Sequence, residues 1–430
     1  APEVAAQAAE VADIVANRPN LSTATDADLV ARTREMPPVF SRLFATHSEA
    51  SAAASVVMGA LTVAALGVGK PGLDLRIAGG LGGVASAEPS DVLWDLGRLV
   101  AASPELTAAF DDGLDGLTDR LQRLGPAATD FLTGFADFTT TYGSRGPNEW
   151  ELRSRTWETH PELPLALVDR MRFSPDSDDP STTRAAAHQR SGEALELLQS
   201  MVADNEEAAG TLAIAVPAAR AWIPAREQCK ATIVRIIHEV RLAARELGRR
   251  MAADGRLTDA DHVFMLRDAE MEAALNGDMA ETAATRQADY LALFEVQPPY
   301  WFAGEVPKFG LRSEAPVVEG PSKTILQGMG GSAGTVEGLA RVVLDPSDPL
   351  TLEPGEILVA PITDPSWTPL FVPAAGVVVE VGAVMSHAVI VSRELGIPCV
   401  VSALGATRRI QDGTRIRVNG DTGTVTILED

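Results

Sequence analysis

Twenty-nine residues about two thirds of the way along the chain decide how it can fold. The stretch VQPPYWFAGEVPKFGLRSEAPVVEGPSKT, residues 296–324, carries prolines at 298, 299, 307, 316 and 321 and glycines at 304, 310 and 320. Each proline removes a backbone donor and pushes the preceding residue out of helical geometry, so no helix can run through the segment. The chain must therefore build more than one body. We read residues 305–323 as a linker between one body at 1–304 and another at 324–430. A chain of 430 residues is long enough for each to bury its own core.

The two sides differ in periodicity. Before the linker, apolar residues recur at helical spacing in SDVLWDLGRLVAA, in GPAATDFLTGFADFTTTYG and in EQCKATIVRIIHEVRLAARELGRRMAADG, where Ile233, Ile236, Ile237, Val240 and Leu247 form a core-facing stripe that Gly255 ends. This predicts a mostly α-helical domain. Residues 174–182, with Pro175 and Pro180, read as an exposed acidic loop. The uncharged run from Ala50 to Gly69 is long enough to span a membrane, but its Ala, Gly, Ser and Thr content suits a tightly packed buried helix better. GVGKPG, residues 67–72, formally fits a dinucleotide fingerprint, yet Pro71 interrupts it and no clear helix follows, so it reads as a turn. GGLGG, residues 79–83, is either a loop that lets backbone approach a ligand or a flexible connection.

After the linker, short β-rich runs take over: GTVEGLARVVL, GEILVAP, AGVVVEVG, PCVVS, and a hairpin TRIRVNG/TGTVTIL turning at Asn-Gly-Asp. One helix is evident, His387 to Leu395, closed by Gly396 and Pro398. The second body is thus a small α/β domain.

Charge and cysteine content exclude several functions. Against 36 basic residues stand 59 acidic ones, a net charge of -23, which nucleic-acid phosphates and anionic membranes repel. Cys229 and Cys399 are far apart and form no metal-binding spacing, so we expect a reduced, cytoplasmic protein without structural metal. His47, His160, His188, His238 and His262 show no ligand spacing either and read as structural. No basic region followed by an apolar stretch opens the sequence, so we expect no signal peptide, and an initial Ala rather than Met suggests processing or a longer parent chain.

His387 is the candidate for chemistry. At the start of a helix the first N–H groups lack intrahelical acceptors and favour an anion. A neutral imidazole placed there can attack phosphorus, with those donors and the Ser386 hydroxyl holding the phosphoryl group; a surface or capping histidine is the bland alternative. The run TDPSWTPLF, continued by AAGVVVEVGAVMSHAVIVSRELGIPCVVSALGATRRIQDGTRIRVNGDTGTVTIL, resembles the swivelling phosphohistidine domain of the PEP-utilising enzymes. That family includes phosphoenolpyruvate synthase, pyruvate phosphate dikinase and rifampin phosphotransferase. The resemblance covers about Gly328 to Leu428, including Ser386-His387-Ala388 and the Arg-Glu-Leu-Gly-Ile-Pro run from Arg393. Upstream, GGLGGVASAEPSDVLWDLGRL, YGSRGPNEWELRSRTW, WIPAREQCKATIVRIIHEVRLAARELGRRM and PPYWFAGEVP resemble, in order, the helical substrate domain of the rifampin phosphotransferase branch.

The resemblance implies a swivelling β/β/α domain in which His387 is phosphorylated, with Ser386 and Arg393 as phosphate-binding candidates. It also favours Arg145 and Glu149, which flank a Gly-Pro turn, as acceptor or phosphate contacts rather than only a loop-pinning salt bridge. Arg226 and Lys230, one helical turn apart, would grip the travelling phosphate or merely solvate a surface. Relatives commonly have histidine where this chain has Ser144; if that histidine serves the acceptor, another group must do so here. ATP and Mg2+ are implied on an ATP-grasp domain or subunit that this sequence lacks, and without the family's barrel domain pyruvate chemistry is disfavoured. The expectation is a phosphotransferase acting on a hydroxyl of a small, largely apolar molecule. The alternatives are a dehydratase that phosphorylates and then eliminates, and a non-catalytic binding protein.

Overall fold

A computed structural model describes residues 2–299, 302–311, 324–345 and 352–428. The N-terminal body is helical: α1 (Pro2–Ala16), α2 (Asp26–Gly67), α3 (Leu73–Ile77), α4 (Glu88–Ala102), α5 (Pro104–Asp111), α6 (Leu117–Arg123), α7 (Thr129–Tyr142), α8 (Glu162–Met171), α9 (Pro180–Val202), α10 (Glu206–Ala253), α11 (Met271–Asn276) and α12 (Ala280–Ala292).

Two long helices form its spine. α2 starts at a capping box in which Thr25 Oγ1 accepts from Asp28 N at 3.1 Å and the Asp28 carboxylate accepts from Thr25 N at 3.0 Å. Asn205 caps α10 through Ala208 N at 3.1 Å. Successive apolar clusters join Leu29 to Leu247, Leu43 to Ile236, Ala50 to Cys229 and Leu61 to Val216, so the two helices run antiparallel along most of their length. This seam explains how α2 continues through Pro37 and Pro38, and α10 through Pro217 and Pro224, although an interior proline costs about 3 kcal/mol in an isolated helix.

Three expectations are corrected here. The run 50–69 buries only one face, through Ala50, Ala54, Met58, Leu61 and Ala65, while Val56, Val63 and Leu66 are exposed; by length and composition α2 and α10 could each cross a membrane. A short helix, α3, does follow the 67–72 turn. Pro180 begins α9 instead of blocking it, because a missing N–H is harmless at the first helical position and Asp179 caps Ser181 N at 2.7 Å.

The proposed linker 305–323 is described only to residue 311. There β1 (Val296–Gln297) and β2 (Gly310–Leu311) pair antiparallel, so the chain doubles back before leaving the helical body. Residues 312–323 lie outside the described residues.

The C-terminal body contains β3 (Ile325–Gln327), β4 (Met329–Ser332), β5 (Thr335–Val342), β6 (Ile357–Ala360), α13 (Thr368–Phe371), β7 (Gly376–Val379), α14 (His387–Leu395), β8 (Cys399–Val401), α15 (Ala406–Arg409), β9 (Arg415–Asn419) and β10 (Thr424–Ile427). The strand order is β3-β10-β9-β5-β6-β7-β8-β4, with β5 to β8 mutually parallel and the outer pairings antiparallel. β3 and β4 are consecutive, separated by Gly328, yet stand at opposite ends of this order. One stretch of chain therefore bonds to both margins and closes the sheet upon itself.

β6 and β7 are buried throughout. Alternation sends Ile357, Val359 and Val378 inward to Ile416, Val418 and Val425. It sends Leu358, Val377 and Val379 toward α13, α14 and, beyond them, Leu93 and Trp94 of α4. That second cluster is continuous across both bodies, so the small domain is docked on the helical one.

Candidate active site

Docking brings two loops of the helical body onto the small domain. The first, residues 143–158, is held by Arg241, a fully buried side chain on α10 that donates to the carbonyls of Glu149 at 3.0 Å, Glu151 at 2.9 Å and Leu152 at 3.0 Å. Burial pulls the Arg241 pKa down to about 10, still well above neutrality. Asn148, with φ of 52°, turns its N–H to the small domain and donates to the Asp364 carboxylate at 2.6 Å. The second is the 79–83 loop. Leu81 N and Gly82 N donate to Glu394 of α14 at 3.0 and 3.3 Å, so this glycine-rich loop clasps a carboxylate of its own chain.

His387 lies between these contacts. It is the first residue of α14, 7 % exposed, and the N–H groups of His387, Ala388 and Val389 have no intrahelical acceptor. Thr368 Oγ1 lies 2.9 Å from its Nε2 and Thr363 Oγ1 3.1 Å from its Nδ1, with the Phe371 ring edge-on at 5.6 Å. Ser386 occupies the N-cap without using its side chain there, and its Oγ has no partner among the described residues. The ring is buried in the docked arrangement, so it is not the surface histidine of the bland alternative.

Three cations of the helical body surround this histidine electrostatically. Burial, followed by the charges of Lys230, Arg145 and Arg226, holds the His387 pKa well below the usual imidazole value, so the ring is neutral at pH 7. Arg145 Nη1 contacts both Glu149 oxygens at 3.2 and 3.1 Å, and Lys230 Nζ reaches Glu149 at 3.3 Å. Arg226 pairs with the buried Glu227, which also accepts from Ser86. Asp364 completes the group; burial and the nearby Glu149 charge raise its affinity for a proton. Arg145, Glu149, Arg226, Lys230, Ser386 and His387 are thus assembled in one place.

Arg393 is not. It is buried on another side of α14, donates Nε to Gly331 O at 2.8 Å and lines a separate cleft. Ser144 also faces elsewhere, into a small pocket with Arg18, Glu158, His238 and Glu239, so a histidine at that position would join this buried network. Among the other histidines, His47 sits in an aromatic group with Phe44 and Trp150, at centroid distances of 6.1 and 6.3 Å, and feels the charges of Arg226 and Lys230. Phe44 and Trp150 are 44 % and 37 % exposed, a free aromatic surface beside the cationic cluster. Sequence reading missed Thr363, Thr368, Asp364, Ser86 and Glu227, whose separation in sequence from His387 carries no periodic signal. Among the described residues no three His, Cys, Asp or Glu side chains are grouped to hold a metal ion.

Comparison with known proteins finds matches to both bodies. Residues 352–423, in the α/β body, match the family model of the PEP-utilising enzyme mobile domain. Residues 44–227, in the helical body, match the model of the rifampicin phosphotransferase fourth domain. A rifampicin phosphotransferase of Streptomyces sp is 34 % identical over 347 residues, 78 % of this chain and 39 % of the relative. An uncharacterised protein of Mycobacterium tuberculosis is 33 % identical over 311 residues, 72 % of this chain and 33 % of its own length. A prodigiosin synthesizing transferase of Serratia marcescens is 30 % identical over 369 residues, 83 % and 40 % of the two chains. The chain spans a third to two fifths of the length of these relatives.

Proposed function

We propose that this chain is the acceptor and carrier part of a phosphotransferase in which His387 relays a phosphoryl group to a hydroxyl of a small, largely apolar molecule. The observation that carries this reading is a buried imidazole at a helix start, held between Thr363 and Thr368 and kept neutral by burial and by the charges of Lys230, Arg145 and Arg226 of the other body. In the first step a ring nitrogen attacks phosphorus, a P–N bond forms and the bond from phosphorus to the donor's oxygen breaks. In the second, the acceptor oxygen attacks, the P–N bond breaks, and the hydroxyl proton passes to a carboxylate of the cluster, for which we propose Asp364 because burial raises its proton affinity. Positioning and charge neutralisation do most of the work in such transfers, and three cations facing the carrier supply both. The exposed face of Phe44 and Trp150 suits a flat apolar acceptor.

The glycine-rich 79–83 loop is occupied by Glu394, and phosphate is proposed to reach His387 from an ATP-grasp module, as a further domain or a separate subunit, that would hold Mg2+ and the nucleotide. Because the ring is sealed when docked, loading requires the small domain to leave its dock.

Potassium phosphoramidate, a small P–N donor that modifies imidazoles, tests the carrier directly. Mass spectrometry and 31P NMR should show one phosphoryl group on His387, absent from His387→Ala and formed faster in Glu394→Ala. Modification of other histidines with none on His387 in either background would refute the carrier role.

A further inference from the structure

A cleft of about 490 Å3 opens between the two bodies on the side of α14 away from His387. Its walls come from α3 and α9 of the helical body and from the β4–β5 turn and the end of α14 in the small domain. Arg76, Arg190 and Arg393 line it together with Ser332, Thr335 and Leu197, and Glu193 is the one carboxylate among the lining residues. In a chain with a net charge of -23, three arginines lining one cleft against a single lining carboxylate run counter to the overall sign.

Their own carboxylate partners do not account for them. Arg76 reaches Asp421 across the domain boundary at 3.3 Å, but Asp421 also accepts from Gly334 N at 3.2 Å. Arg190 has no carboxylate partner among the described residues. Its guanidinium lies against Gly396, with Nη2 1.9 Å from where a Cβ would stand. Arg393 is 3 % exposed, its Nη2 has no partner, and the carboxylate whose charge it feels, Asp74, is bonded to Thr62 at 2.6 Å. Burial lowers its pKa to about 10, so it stays cationic at neutral pH. A buried, under-compensated guanidinium is unfavourable unless an anion lies close by.

We propose that this cleft binds a small anion, a phosphate- or carboxylate-bearing molecule with an apolar portion resting on Leu197, and that the ligand holds the two bodies together. A ligand touching both walls binds the docked arrangement alone and so shifts the equilibrium toward it. The site is distinct from the His387 cluster and does not depend on phosphoryl transfer.

Isothermal titration of the chain with inorganic phosphate, and separately with citrate, distinguishes phosphate from carboxylate ligands. Saturable one-site binding of at least one of them is expected, weakened at least tenfold by Arg190→Ala. It should be unchanged in Arg249→Ala, a surface arginine paired only with Glu246, and unchanged in His387→Ala. Ligand should also slow hydrogen exchange at the Leu81 and Gly82 amides. The proposal is overturned if neither anion saturates, if Arg190→Ala binds as tightly as the parent, or if His387→Ala abolishes binding, which would place the anion at the other site.

Discussion

At His387 both ring nitrogens meet threonine hydroxyls, which can donate or accept, so neither tautomer is imposed as it would be by a carboxylate partner. What fixes the ring's state is its surroundings: burial first, then the neighbouring cations, which keep it unprotonated. A depressed pKa means that the neutral, nucleophilic form persists as pH falls, where an ordinary imidazole would be lost. Between pH 7.5 and 6.0 a free imidazole loses roughly fourfold of its neutral form. Because loading requires the small domain to leave its dock, this depression belongs to the docked state, and protonation of the released ring favours release: the undocked fraction, read from hydrogen exchange at Leu81 and Gly82 corrected for its intrinsic pH dependence, should rise by about that factor as pH falls over the same range; an unchanged fraction would mean that the docked ring titrates normally. His387 and Ser386 were legible from their place before a helix, and Arg226 and Lys230 from sharing one helical face. Thr363 and Thr368 were not: Thr368 opens α13, which packs against α14, and Thr363 lies in the connection between β6 and α13, so both approach the ring only through tertiary packing. Arg393 matched the family pattern, but its position on α14 carries it to the opposite cleft.

Among elements, the 79–83 loop shows how packing decides what composition leaves open. Gly80 has φ of 59°, and a Cβ there would stand 2.4 Å from His188 N on α9. His188 in turn places Nδ1 2.8 Å from Gly80 O. Gly80→Ala adds backbone strain to a steric overlap with main chain, and should lower stability by roughly 2–4 kcal/mol in urea denaturation; a loss below about 0.5 kcal/mol would mean that the loop yields. The same tertiary dependence hid the extent of α2 and α10. Local rules place breaks at Pro37, Pro217 and Pro224, yet the apolar seam between the two helices outweighs them. β3 and β4 escaped notice for another reason: their seven residues, IleLeuGln and MetGlyGlySer, alternate poorly and are strands only because β8 and β10 flank them.

On the scale of the whole molecule, the division into a helical body and a small α/β body is legible from the proline-rich break and the change of periodicity across it. The docking between them does not, since no pattern links Glu394 with Leu81 or Asp364 with Asn148 before the chain is folded. Both carboxylates are buried at the boundary, and burial raises the proton affinity of each. Glu394→Ala removes the acceptor for two loop amides, so hydrogen exchange at Leu81 and Gly82 should accelerate at least tenfold while protection in α10 is retained. Unchanged exchange would show that the apolar contacts alone maintain docking. The closed strand order of the small domain has a bearing on such release. A sheet whose first and last ladders share one stretch of chain offers few unsatisfied backbone groups along its rim. Such a unit can be cast loose repeatedly in a crowded solution without templating fibrils or snagging a stranger's backbone.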